Sequence, residues 1–169
     1  AVTFDFRETS DSVLEGFTIT GQGISCEGAA PTISRNVIRD CSGPGIRGAD
    51  GAAPVIVDNT IVSNDGEGVY MCEGRIEGNT ISLNGGGLAF CNGLVRDNVI
   101  TDNSDAGGLY FCNGEVAGNV ILRNYSRTHG GGLYNCGGSI HHNIIAGNRA
   151  ERDGGGLYNC SQSIVNNTI

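Results

Sequence analysis

Four groups of residues in this chain carry side chains suited to chemistry. Tyr70, Tyr110, Tyr134 and Tyr158 each stand two residues before a cysteine in the recurring phrase G-[LV]-Y-x-C, and Ala89 takes that place once. Aromatic faces with phenolic hydroxyls, set in a row, suit sugar rings, which present apolar C–H faces edged by hydroxyls. Tyrosine also favours strands and stacks on its own kind from rung to rung, so the same row reads equally as architecture. The second group is charged. Arg123, Arg127 and His129 precede Tyr134, and Arg149, Glu151, Arg152 and Asp153 precede Tyr158. Glu151 and Asp153 are the candidate acid and base for glycoside hydrolysis, with Arg127 and His129 flanking them, or else part of a solvated loop. Third, Asp65, Glu67, Asp102 and Asp105 are candidate Ca2+ ligands, to be completed by backbone carbonyls; surface solubility is their plainer role. Fourth, His141-His142 resembles a metal pair on paper. Neighbouring strand residues point to opposite faces, however, so one ion is not expected to receive both rings.

The elements that must position these groups come from a repeat. Gly131–Ile145 reads G-G-L-Y-N-C-G-G-S-I-H-H-N-I-I, and Gly155–Ile169 reads G-G-L-Y-N-C-S-Q-S-I-V-N-N-T-I. Earlier versions occupy Gly86–Ile100 and Gly107–Ile121. The firmest mark is an Asn with Ile or Val three residues before it and Ile two residues after. It occurs at Asn36, Asn59, Asn79, Asn98, Asn119, Asn143 and Asn167, at spacings of 23, 20, 19, 21, 24 and 24 residues. Phe17 takes the Asn place 19 residues before Asn36. A second Asn follows five residues later at Asn64, Asn84, Asn103, Asn124 and Asn148, with Cys41 in that slot of the Asn36 coil.

One such unit cannot close a core. Stacked units can, by pairing each short strand in parallel with its equivalent in the next coil, about 4.8 Å away. Leu then lies on Leu, Ile on Ile and Asn on Asn. The spacing predicts an all-β solenoid, a parallel β-helix of about eight coils with three short strands each, around Leu133, Ile140 and Ile145 in one coil. The Asn column is expected to hydrogen-bond from rung to rung where the second strand turns into the third. The turn after each Cys (Glu73-Gly74, Asn92-Gly93, Asn113-Gly114, Gly137-Gly138) is expected to use glycine for positive φ. Glu77 and Arg96, in one outward slot of adjacent coils, are expected to pair. The variable connections at Tyr125–Gly130 and Arg149–Gly154 are the places where a binding site is most readily built.

Composition agrees. The chain has 169 residues, 29 glycines and no Trp, and no stretch repeats apolar residues at helical spacing. The formal net charge is −8 and the ten basic residues are scattered, so a nucleic-acid surface is not expected. No apolar run is long enough to span a membrane. Five of the seven cysteines fall at one repeat position. They fit packed free thiols, disulfides between some neighbouring rungs, or a soft-metal column.

These repeats resemble the right-handed parallel β-helix proteins of the pectate-lyase-like superfamily. The G-G-G-L-Y-N wording is similar to repeats of secreted bacterial β-helix proteins and autotransporter-type passenger domains. The resemblance covers about Leu14 to Ile169 and implies an extracellular or cell-surface location. The superfamily includes lyases, hydrolases, epimerases, adhesins and members with no known activity, so fold alone does not choose among them. Its lyases place Ca2+-binding acids and an Arg or Lys on the outer face of the first strand. Here Tyr or Ala stands there, and that site does not carry over. Residues 1–169 are read as one β-helix domain, a piece of a longer chain whose flanking coils would stack on it. The expected role is a spacer and presentation scaffold, with a polysaccharide or cell-surface partner on the tyrosine row. The alternative is a polysaccharide lyase or glycoside hydrolase acting on the same face and its adjoining loops.

Overall fold

Three parallel sheets wall the chain, and each coil gives one strand to each of them. The computed structural model describes residues 1–169. The first sheet stacks eight strands, from Val2–Asp5 to Leu157–Tyr158. The second stacks eight, from Val13–Glu15 to Ile164–Val165, and the third seven, from Thr18–Gly21 to Ile144–Ala146. Every strand pairs in parallel with its equivalent one coil away. Leu88, Leu109, Leu133 and Leu157 are in register in the first sheet. Ile76, Val95, Val116 and Ile140 form the column of the second, and Ile81, Ile100, Ile121 and Ile145 that of the third. These side chains are buried and form one continuous core, against which half-buried Leu157 packs at the last coil. Each contributes about 1.5–3 kcal/mol by leaving water. No helix is long and apolar enough to cross a membrane.

The three corners share one construction. A residue in the left-handed region is followed by an inward polar side chain that caps the turn. Between the second and third sheets the left-handed residues are Arg35, Asp58, Asp97, His142 and Asn166, each just before an Asn. Between the third and first they are Asp40, Ser63, Leu83, Asp102 and Arg123. Between the first and second they are Met71, Phe90, Phe111, Asn135 and Asn159, each just before a Cys. Their φ values lie between 49° and 57°. For a residue with a Cβ this costs about 1 kcal/mol or more, so each corner needs a compensating interaction.

The Asn columns supply it. Asn59 Nδ2 lies 2.8 Å from Ile33 O of the preceding coil, 3.0 Å from its own coil's Val57 O and 3.0 Å from Asn79 Oδ1. The Asn59 backbone N–H donates to that same Oδ1 at 2.8 Å. The pattern runs from Asn36 to Asn167, and Phe17 contributes only its backbone N–H, to Asn36 Oδ1. A second column from Asn64 to Asn148 repeats the rung-to-rung bonds and the bond to the preceding coil's carbonyl, without one to its own coil, and Cys41 begins it by donating its backbone N–H to Asn64 Oδ1. No buried side-chain nitrogen or oxygen is left without a partner.

The third corner uses sulfur in the same way. Cys91 Sγ lies 3.4 Å from Ala89 O of its own coil and 3.7 Å from Val69 O of the preceding one. Cys112, Cys136 and Cys160 repeat both contacts. All seven cysteines are free, and all but Cys160 are buried. Burial pushes the Cys26 thiol up to about 12 and those of Cys72 and Cys112 well above the ordinary range. Cys136 is raised first by its hydrogen bond with Cys112, and Cys160 by its bond with Cys136, each with burial adding. Cys26 stands one residue early, within the strand Ile24–Glu27, and opposes Gly48.

Two expectations are corrected. Gly74, Gly93, Gly114 and Gly138 do not adopt positive φ; the left-handed residue of that corner precedes the Cys. Glycine is required there because a Cβ would strike the backbone carbonyl of the coil before, as at Gly138 against Gly114 O. Glu77 and Arg96 are in register but do not pair. Glu77 takes Arg75 of its own strand region at 2.7 Å, and Arg96 lies 3.6 Å from Asp97. The long connections also hold a feature not expected from the sequence. Tyr125–Ser126 and Arg149–Ala150 pair in parallel as a fourth, two-stranded sheet.

Three outcomes follow for stability. Asn98→Asp removes the donors to Ile76 O and Asn119 Oδ1 and sets a carboxylate against both. We expect a loss of roughly 3–5 kcal/mol in urea unfolding. Leu83→Asn places a residue tolerant of the left-handed region at an exposed corner; a gain of about 1 kcal/mol is expected. The buried thiols will not react with a disulfide reagent at pH 8 until the chain unfolds. The folded pKa values of Cys26, Cys41, Cys72, Cys112 and Cys136 are raised, so the stability these thiols contribute is full below the unfolded thiol range. It falls as pH climbs past about 8.5, by about 1 kcal/mol for each of these thiols between pH 8 and 9.5. Equal stability at those two pH values would contradict the buried-thiol assignment.

Candidate functional site

The outward side of the first sheet carries the tyrosine row, and its strands place Tyr70, Ala89, Tyr110, Tyr134 and Tyr158 in register. From the sequence, Ala89 interrupts the row. In the structure the row is continuous, because Phe90 and Phe111 at the left-handed corner turn their rings into it. Phe90 stands 5.8 Å from Tyr70 and 5.4 Å from Tyr110, edge-on to both. Phe111 stacks on Phe90 at 5.5 Å and meets Tyr110 at 4.7 Å. Tyr110, Tyr134 and Tyr158 follow at 5.3 Å and 5.6 Å. Ala89 is buried between in-register tyrosines, with Phe90 beside it. The two phenylalanines were missed because strand alternation sends the residue after an outward Tyr inward, and only the left-handed turn brings it back. The available signal was the wording itself, Phe immediately before Cys91 and Cys112.

Both long connections lie against this column. Gly130 and Gly154 bring them there: a Cβ on either would strike the backbone carbonyl and side chain of the Leu-Tyr pair, Leu133-Tyr134 or Leu157-Tyr158. Their φ values are +61° and +70°. His129 then stacks on Tyr158 at 4.2 Å between ring centroids, 14° from parallel, and sits 5.9 Å from Tyr134. The four ladder tyrosines are half-buried. Their hydroxyls have no hydrogen-bond partner within the chain, in contrast to Tyr125, whose hydroxyl meets Glu151 Oε1 at 2.5 Å.

The charged candidates are distributed among local partners. Glu151 accepts from Tyr125 and raises that phenol's pKa. Asp153 lies 3.3 Å from His129 Nδ1. Arg127 pairs with Asp105 at 2.7 Å. Arg123 grips Asp102 with two bonds of 2.8 Å, which together with Thr101 hold that carboxyl below its usual range. Arg149 lies over the Tyr125 ring at 6.0 Å. Asp65 is exposed and Glu67 half-buried at the start of its strand. No three His, Cys, Asp or Glu side chains converge as one metal-holding group. The tyrosine column and the long loops are thus brought together, while Glu151 and Asp153 are drawn to separate partners.

His141 and His142 overturn the alternation expected of them. The strand ends at His141, and His142 takes φ 57°, which swings its ring to the same side. The two Nδ1 atoms lie 2.9 Å apart, and His141 Nε2 is 3.2 Å from Glu115 Oε1.

The model of the right-handed β-helix region matches residues 3–75 and 22–169. No curated protein and no solved structure matches the chain. Three parallel sheets, in-register aliphatic columns and Asn-capped corners agree with that match, and the chain belongs to the right-handed β-helix family.

Proposed function

We propose that this β-helix is a presentation scaffold, outside the cell or on its surface, that binds polysaccharide along its aromatic column. One observation carries the reading. Six aromatic rings run unbroken from Tyr70 to Tyr158, and the four phenolic hydroxyls among them have no partner in the chain. A row of ring edges stacked coil on coil at about 4.8 Å, with free hydroxyls at every coil but that of Ala89, offers a long polymer several similar weak contacts. Sugar C–H faces take the rings and sugar hydroxyls take the phenols. The His129 and Tyr158 stack closes one end of the column against the two long loops. An extracellular setting rests on the likeness to secreted β-helix repeats. Buried thiols held as protonated SH are compatible with it, since they offer no accessible thiolate to oxidise.

Affinity electrophoresis against a panel of neutral and acidic polysaccharides tests this. Retardation by at least one polymer is expected. Tyr134→Ala and Tyr158→Ala should each weaken it by about three- to tenfold, the worth of one aromatic contact. Retardation unchanged in both variants, or none with any polymer, overturns the reading. Release of unsaturated or reducing ends, abolished by Glu151→Gln or Asp153→Asn, would instead assign a lyase or hydrolase to this face.

A further inference from the structure

We propose that His141 and His142 form a surface site for a divalent transition-metal ion of the Ni(II) or Cu(II) kind, held by the two Nδ1 atoms. The site lies at the corner between the second and third sheets, away from the tyrosine column, and does not depend on polysaccharide binding. Its geometry comes from the corner itself. His141 ends its strand, and the left-handed His142 turns back beside it, so the rings meet edge to face at 88° with centroids 5.1 Å apart. The Nδ1 atoms are 2.9 Å apart. Two nitrogens each about 2.05 Å from one metal, at right angles, stand about 2.9 Å apart, whereas tetrahedral angles would need about 3.3 Å. The 2.9 Å separation, a hydrogen bond in the metal-free chain, brings the two lone pairs within a small shift of one shared ion, and the affinity order of imidazole sites favours copper and nickel among the divalent ions.

Glu115 sets the tautomer. Its carboxylate accepts from His141 Nε2 at 3.2 Å, so the proton of neutral His141 sits on Nε2 and its Nδ1 lone pair is free. A carboxylate on the far nitrogen of a ligating histidine is the usual outer-shell arrangement, and it raises the basicity of the ligand. In the metal-free chain His142 Nδ1–H donates to His141 Nδ1. When a metal binds, the His142 proton moves to its solvent-facing Nε2, and no net proton is released. Neighbouring coils leave room for the ion. In register with His141 lie Ala117 and then Arg96, and small Ala117 and Gly118 open a depression of about 240 Å³ between the histidines and Arg96-Asp97. Asp97 Oδ1 leans over Gly118, where any Cβ would collide with it. A carboxylate thus shares the depression, alongside open positions for water.

The next coil writes Val165-Asn166 in these two places, with Val165 in register with His141. His141→Val and His142→Asn are therefore substitutions the fold already accommodates. Isothermal titration of the full chain with NiCl2 should show one site. Each single variant should weaken it at least tenfold, and Glu115→Ala by about tenfold through loss of the outer-shell bond. Circular dichroism and melting temperature should stay unchanged in the metal-free variants. Binding that is unaltered by His142→Asn, or no saturable site in the parent chain, overturns the proposal. As a second readout, Cu(II) electron paramagnetic resonance should show coupling to two nitrogens in the parent and to one in either variant. One nitrogen in the parent contradicts a shared ion.

Discussion

The left-handed corner is the constraint on which the rest of this solenoid depends. Three times per coil the backbone must turn within two residues, and residues such as Leu83, Phe90 and Arg123 do so in a conformation that L side chains resist. Each turn leaves backbone N–H and C=O groups facing the interior. Inward Asn answers this in two corners, because one amide both donates to a carbonyl of the preceding coil, and in the first column also to one of its own coil, and accepts from the coil before. Cysteine answers it in the third, with weaker sulfur donors to the same two classes of carbonyl. The aliphatic columns supply most of the driving force, but they do not fix register. A strand could slip by two residues and still turn an aliphatic side chain inward. The Asn columns resist such a slip, since each Oδ1 accepts from both the backbone N–H and the Nδ2 of the one Asn in the coil before.

Function-bearing features grow out of the same corners. Phe90 and Phe111 close the gap left by Ala89 only because the corner turns them outward. His142 meets His141 for the same reason. The loops that bring His129 onto Tyr158 are insertions at the third-to-first corner, held by a short strand pair of their own and by glycines at the points of closest approach. The scaffold is a regular repeat, and its candidate sites stand where a corner residue is large enough to reach a neighbour.

Much of the fold was legible in the sequence because its marks are local and periodic. Ile three before and Ile two after each Asn fix two strands and one turn, and the Gly-Leu phrase before each Cys fixes the third strand, without reference to anything distant. The aromatic side chains of Tyr110, Tyr134 and Tyr158 were legible for the same reason. What was not legible depended on φ. Glycine is the residue from which positive φ is ordinarily inferred, so Gly93 and Gly114 were given the turn that Phe90 and Phe111 take. Strand alternation was extended one residue too far at His141-His142. The pairing of Glu77 with Arg75 in place of Arg96 turns on side-chain reach, which register alone does not specify. Tyr125–Ser126 and Arg149–Ala150 carry no periodic mark, and their pairing follows from equal loop lengths in adjacent coils.

Hydrogen exchange at the asparagine side chains is the most direct test of the corner account. In 15N-labelled protein the Nδ2 hydrogens of Asn59, Asn79, Asn98 and Asn119 should be protected to the same degree as the backbone amides of Ile61, Ile81 and Ile100 beside them. They should exchange only through the opening that releases the coil. Exchange of those side-chain amides at the rate of an exposed asparagine, with the strand amides still protected, would show that the ladders do not hold the corners.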